Sequence, residues 1–200
     1  MESIEKKILR CIRGRGSGSL VFMSDFANYG TPATIKTIFH HLYTDGVLMR
    51  LAQGIYYYPK KDTALGLGVI YPSIDDIATA IAKRDHARIV PTGAYALNRL
   101  GLSTQVPTNV VYVTTGTSRK VKVGDGNGIL FKHSSSGKLF SFQSDLMMLA
   151  VMAMREIGQE QITDEQVGII KGYLAGVPQS EYSHDVKLMP IWIRQILMKK

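Results

Sequence analysis

Apolar residues near the start of the chain recur with a helical period. Ile4, Ile8, Leu9 and Ile12, with Cys11 beside them, predict an amphipathic helix over residues 3–13. The glycine- and serine-rich run Gly14-Arg15-Gly16-Ser17-Gly18-Ser19 is expected to end it. Leu20-Val21-Phe22-Met23 then reads as a short strand or a core plug. Ser24 is placed to cap a brief helix through Tyr29, with Asp25 in its first turn and Gly30 at its close. Thr31-Pro32 supplies a capping hydroxyl and a proline at the first helical position, and the helix runs to about Asp45 before Gly46. At about 100° per residue, Ile35, Ile38, Phe39 and Leu42 share one face. The opposite face carries Ala33, Lys36, Thr37, His40 and Thr44, flanked by Thr34 and His41. Val47 to Leu51 and Ile55 to Tyr58 follow as strands around the turn Ala52-Gln53-Gly54, a hairpin signal. Pro59 ends it, and Lys60-Lys61 begins a polar connector.

Beyond the connector the pattern is mixed. Ser73 and Asp76 have the spacing of a capping pair ahead of Ile74, Ile77, Ala78 and Ile81. Helices are predicted from Gly93 to Leu100, over Asp145–Ile157, over Thr163–Leu174 and after Pro190. Val110–Thr115, Arg119–Val123 and Ile129–His133 read as strands, the last two joined by Gly124-Asp125-Gly126-Asn127-Gly128. Phe140-Ser141-Phe142 reads as one more short strand. No internal repeat is evident. The expected fold class is α+β: an N-terminal winged helix-turn-helix over residues 1–61, then a mixed α+β domain over 62–200 with a small antiparallel β-unit and terminal helices.

Charge sharpens this picture. The 200 residues carry a net charge of +8, and residues 1–61 hold nine Lys/Arg against four Asp/Glu. Such clustering attracts polyanions, nucleic acid and membrane lipid alike. No run approaches the roughly 18 apolar residues of a membrane span. The start of the chain lacks the apolar core of a signal peptide, and the single cysteine excludes an internal disulfide. A cytoplasmic protein that does not act on membranes is expected.

The order helix, short helix, longer helix, hairpin is that of a winged helix-turn-helix, whose longer helix enters the major groove of double-stranded DNA. Residues 31–45 suit that role, because their free face is small or polar and meets no carboxylate before Asp45. The positions expected to touch DNA are Thr31, Thr34, Lys36, Thr37, His40 and His41 on the helix, Arg50 and Gln53 at the hairpin, and Arg13 and Arg15 at the end of the first helix. The arginines would contact phosphates, which position without reading sequence. The same pattern also fits a protein-interaction module that docks a partner chain through this unit.

Further residues carry a resemblance. Asp25-Phe26, Leu42-Tyr43-Thr44-Asp45-Gly46-Val47-Leu48-Met49-Arg50 and Gln53-Gly54-Ile55-Tyr56-Tyr57-Tyr58-Pro59 resemble the N-terminal region of AbiEi-type antitoxins of bacterial abortive-infection toxin–antitoxin systems. The block from Pro91 to Pro107, beginning Pro91-Thr92-Gly93-Ala94-Tyr95-Ala96-Leu97-Asn98-Arg99-Leu100-Gly101-Leu102, is similar to that family, as is Val110–Thr115. The likeness covers roughly residues 5–135, and the helices after Asp145 carry no part of it. It implies a transcriptional regulator that represses its own operon and counteracts a nucleotidyltransferase-like toxin. DNA contact would fall to the helix 31–45 and the hairpin 50–54. A reader of two-fold operators commonly forms a homodimer, although one chain with two contact regions can also read inverted repeats.

Enzymatic constellations are weak. Gly14-Arg15-Gly16-Ser17-Gly18 follows no strand, so it fails as a dinucleotide loop. Asp125-Gly126-Asn127-Gly128 begins like a calcium loop but has Ser136 at the twelfth position. Adjacent His40 and His41 point apart on a helix and cannot chelate together. His133 with Ser134-Ser135-Ser136 lacks an orienting third group. Asp75-Asp76 fits a helix start better than paired acid–base work. No catalytic residue, metal or cofactor is expected.

Overall fold

The computed structural model describes residues 2–62, 66, 68–124 and 126–199. The mixed α+β chain divides into two compact units, Met1–Ile81 with Val121–Gly126 and Ala82–Lys120 with Asn127–Lys200.

The first unit begins with α1 (Ile4–Arg15), where the Ser3 hydroxyl accepts the Lys6 N–H at 3.3 Å. The helix runs through Gly14, where an end was expected, because one internal glycine costs only about 1 kcal/mol. It stops at Gly16, whose φ of 85° lies in the left-handed region. After β1 (Leu20–Phe22) comes a 3-10 helix, Met23–Tyr29. Its start is set by Asp25, whose carboxylate accepts the Phe22 N–H at 3.3 Å, so the cap falls on Phe22 and not on Ser24. The following helix, α2 (Pro32–Thr44), begins on Thr31, as its Thr-Pro signal implies. β2 (Met49–Ala52) and β3 (Ile55–Tyr57) complete an antiparallel sheet in the order β1-β3-β2. Leu20–Phe22 is therefore a strand of that sheet, paired with β3 from Leu20↔Tyr57 to Phe22↔Ile55. The β2/β3 register shifts between Arg50 and Ala52, leaving Leu51 in an irregular position.

The core of this unit joins Ile8 and Ile12 of α1, Val21 of β1, Phe26, the α2 stripe Ile35, Ile38, Phe39 and Leu42, then Leu48 and Tyr56. Phe39 is fully buried, with its ring centroid 5.7 Å from that of Phe26 and 4.9 Å from that of Tyr56. Where a polar connector was expected, β4 (Lys60–Asp62) and β5 (Gly68–Ile70) form an antiparallel pair. The Tyr57 hydroxyl donates to the Ile70 carbonyl at 2.5 Å. Residues 63–65 and 67 of that expected connector lie outside the described residues. The next helix, α3 (Ile74–Arg84), starts at the anticipated reciprocal cap, in which Ser73 N–H donates to the Asp76 carboxylate at 2.9 Å and Asp76 N–H donates to the Ser73 hydroxyl at 3.1 Å.

β6 (Ile89–Thr92), α4 (Ala94–Arg99), β7 (Asn109–Thr114), β8 (Arg119–Val123) and β9 (Asn127–His133) follow in sequence, all in the second unit except Val121–Val123 of β8, which belong to the first. The sheet order is β6-β7-β9-β8. β6 and β7 are antiparallel, as expected of the β-unit, but β7 and β9 run parallel from Asn109↔Gly128 to Thr114↔His133, so this sheet is mixed. Asp125, at the tip of the turn predicted between β8 and β9, lies outside the described residues.

The segment read as a strand at Phe140-Ser141-Phe142 instead begins as the last residue of a helical turn, α5 (Gly137–Phe140), with Ser141 at its C-cap. The Ser141 hydroxyl closes on the Gly137 carbonyl at 2.7 Å, and the Arg88 guanidinium donates to the carbonyls of Phe140 and Phe142. Those bonds occupy backbone acceptors that a strand would have offered to a neighbour.

Four helices close the described chain: α6 (Asp145–Ile157), α7 (Asp164–Leu174), α8 (Gln179–Asp185) and α9 (Ile191–Met198). Every residue from Met147 to Met154 is buried, so α6 is apolar on all sides and forms the centre of this core. Its N-terminus is anchored by Asp185, which is fully buried. The Asp185 carboxylate accepts the Gln143 N–H at 2.9 Å, the Ser144 N–H at 2.8 Å and the His184 Nδ1–H at 2.8 Å. No helix among the described residues is long and apolar enough to cross a membrane.

Candidate nucleic-acid interface

The polar face of α2 is a direct consequence of what its other face buries. With Ile35, Ile38, Phe39 and Leu42 held in the core, the helical period turns Ala33, Lys36, Thr37, His40, His41 and Thr44 outward, and all are exposed. No acidic side chain lies in the helix, and the first one beyond it, Asp45, occupies the C-cap. The face is thus a strip of small, hydroxyl and imidazole groups with one lysine.

The hydroxyls are not equivalent. Thr31 Oγ1 accepts the Thr34 N–H at 3.2 Å and lies 2.9 Å from Thr34 Oγ1, so this pair closes the start of the helix. Thr34 is half-buried, and both residues serve the cap first. Thr37 donates to the Ala33 carbonyl at 3.1 Å and Thr44 to the His40 carbonyl at 2.8 Å. Each therefore presents a methyl group and an acceptor lone pair, which suits a thymine methyl or a base amino group in the major groove. Lys36 supplies the cation. The His40 and His41 ring centroids are 6.5 Å apart, and among the described residues no group of three His, Cys, Asp or Glu side chains is arranged to hold a metal.

Arg50 and Gln53 are both exposed, Arg50 on β2 and Gln53 at the turn before Gly54, whose φ of 71° is required there. The two arginines at the end of α1 part company. Arg13 is exposed. Arg15 pairs with Asp25 at 2.5 Å and lies over the Phe26 ring, 5.3 Å from its centroid. Arg15 thus fastens α1 to the 3-10 helix, and its charge is already answered by a carboxylate. Sequence spacing gave no warning of that partner ten positions away.

A further basic position escaped the sequence reading altogether. Val121–Gly126 belongs to the first unit, and the Gly124 N–H donates to the Leu51 carbonyl at 3.2 Å. The exposed Lys122 is thereby carried in with this segment.

In the second unit Asp85 pairs with Arg84 at 2.8 Å and with Arg119, whose guanidinium also lies over the Phe131 ring. Burial pushes the Asp85 carboxyl up, but the two guanidiniums outweigh it and hold it below the usual carboxylate range. His133, weighed as a base for Ser134–Ser136, instead makes its Nδ1 hydrogen bond to the Gly116 carbonyl at 2.8 Å. Cys11 is half-buried with its Sγ 3.1 Å from the Tyr29 hydroxyl, a packed thiol in a hydrogen bond.

Among solved structures the chain is similar to the RV2827C protein from Mycobacterium tuberculosis, with TM-score 0.48 and 13% identity over 97% of this chain and 80% of that one. No curated protein matches it. The model of a family of unknown function, DUF6088, matches residues 7–180, which is most of the sequence. The chain belongs to that family.

Proposed function

We propose that the first unit is a winged helix-turn-helix that binds double-stranded DNA, with α2 as the helix that enters the major groove and the β2–β3 hairpin as the wing. The observation that carries this reading is the exposed face of α2, which offers Lys36, Thr37, His40 and His41 with no carboxylate until Asp45. A major groove about 12 Å wide admits such a helix. Lys36, Arg13 and Arg50 neutralise phosphates, while Thr37 and the histidines face base edges. The wing places Gln53 at its tip.

The protein then acts as a transcriptional regulator with no catalytic chemistry of its own. The likeness of Asp25–Phe26, Leu42–Arg50, Gln53–Pro59, Pro91–Pro107 and Val110–Thr115 to AbiEi-type antitoxins supports autoregulation of an operon that also encodes a nucleotidyltransferase-like toxin.

Binding of the full-length chain to the duplex upstream of its own reading frame tests the proposal, measured from about 50 to 200 mM salt. Affinity is expected to fall with a log–log slope near −0.9 per phosphate neutralised, and Lys36→Ala should make that slope shallower by about 0.9. Thr37→Ala should lower affinity for the operator while sparing random duplex. Absence of binding at about 50 mM salt, or binding independent of salt, would support docking to a protein partner instead. If both variants stay folded and bind as the parent does, α2 is not the reader. Co-expression with the product of a neighbouring nucleotidyltransferase-like frame tests the antitoxin role: toxicity undiminished by this chain refutes it.

A further inference from the structure

The first unit contains six residues that the linear order assigns elsewhere, Val121–Gly126. Their attachment has a local cause in the hairpin. The register shift between Arg50 and Ala52 displaces Leu51 from regular pairing, and a displaced residue leaves ladder groups open. The Leu51 carbonyl is taken by the N–H of Gly124, at 3.2 Å. Gly124 itself has φ 55°, a left-handed conformation that bends the chain there and that other L residues adopt at a cost. Along β8 the burial alternates: Val121 is half-buried and Val123 buried, while Lys122 between them is exposed. At about 3.3 Å per residue, the Lys122 backbone lies roughly 7 Å along the strand from Gly124. Gly124 in turn is bonded to the residue next to Arg50.

We infer that Lys122 is a second phosphate-binding position beside the β2–β3 hairpin, so that the basic surface continues from Arg50 onto a strand supplied by the later part of the chain. The inference rests on the DNA-binding reading above and names a duplex phosphate as the ligand of Lys122. A Lys ammonium acts as a compact point charge on a flexible stem, suited to backbone contact without base reading. Lys122 therefore adds affinity equally to all sequences and does not alter operator choice.

The test uses the full-length chain, operator and random duplexes of equal length, and four proteins: the parent, Lys122→Ala, Lys122→Arg and Lys187→Ala. Lys187 is an exposed lysine of the second unit, and its removal changes net charge by the same amount. Lys122→Ala is expected to reduce the magnitude of the log–log salt slope by about 0.9 on both duplexes. Its deficit relative to the parent then shrinks by about 3.5-fold between 50 and 200 mM salt. Lys122→Arg should restore the parental slope, and Lys187→Ala should leave it unchanged. A parental slope in Lys122→Ala overturns the inference while leaving α2 as the reader. An equal loss in Lys187→Ala overturns it as well, since the effect would then be one of net charge. If the parent binds neither duplex at about 50 mM salt, the DNA-binding reading itself fails.

Discussion

Replacing Asp185 with alanine probes the buried carboxylate that fastens the start of α6. Asp185 has no exposed surface and receives two backbone N–H groups, from Gln143 and Ser144, together with His184 Nδ1–H. Hydrogen bonds to a charged acceptor contribute about 1.5–3 kcal/mol each, and a buried N–H left without a partner costs about 1–3 kcal/mol. The Ser144 N–H is buried and bears the full penalty, whereas the Gln143 N–H is in a half-buried contact and can be partly satisfied by water. The His184 side chain is 44% exposed and contributes little, about 0–1 kcal/mol. The expected loss for Asp185→Ala is therefore about 3–5 kcal/mol, the range seen when one member of a buried polar network is removed. With a urea dependence near 2 kcal/mol/M, the midpoint should move down by about 1.5–2.5 M. Fluorescence of Trp192 in α9, the single tryptophan, reports the unfolding of this unit. Asp185→Asn keeps one acceptor oxygen but turns an amide N–H₂ toward a backbone donor, so it should lose about half as much. His184→Ala should shift the midpoint by less than about 0.5 M. If Asp185→Ala and His184→Ala shift it equally, the carboxylate does not hold the α6 terminus and the reasoning fails.

Three other outcomes follow from the geometry. Thr31→Ala removes the hydroxyl that accepts the Thr34 N–H and should cost about 1 kcal/mol in thermal denaturation, with Thr31→Ser restoring most of it. Arg15→Ala should destabilise the first unit by about 0.5–1 kcal/mol and, under the proposed DNA binding, leave its salt slope nearly unchanged, whereas Arg13→Ala should do the reverse; the opposite pattern would reassign the two arginines. Asp85 is held below its ordinary value in the folded chain, so its contribution to stability is present above the unfolded value near 4 and is lost as pH falls through the folded one. Asp85→Asn should flatten that acid limb of a stability–pH profile, and an unchanged limb would show that its ion pairs do not persist in solution.

Elements specified by nearby residues were readable in the linear order. The Thr31-Pro32 start and Gly46 stop bracket α2, the helix expected from Thr163 is α7 with Thr163 as its cap, and the largely apolar stretch 145–157 is α6 itself. Features created by distant partners were not. Lys60–Asp62 has no apolar alternation, yet it pairs with Gly68–Ile70, whose terminal carbonyl is held by Tyr57. α8 has too little apolar surface to announce a helix, and its last residue is the buried Asp185. Phe140–Phe142 alternates like a strand but is held as a turn by an arginine more than fifty positions earlier. At the candidate interface the same division holds. The exposed face of α2 follows from periodicity alone, while the capture of Arg15 by Asp25 and the arrival of Lys122 depend on the folded chain.

The interleaved membership of Val121–Gly126 limits how this polypeptide can be taken apart. A truncation after residue 61 or after Ile81 omits part of the first unit: it discards the N–H that the Leu51 carbonyl accepts and takes Lys122 with it. The complementary fragment would carry an orphaned stretch of strand instead. A gene fusion that is to carry the whole of the first unit therefore has to include both segments.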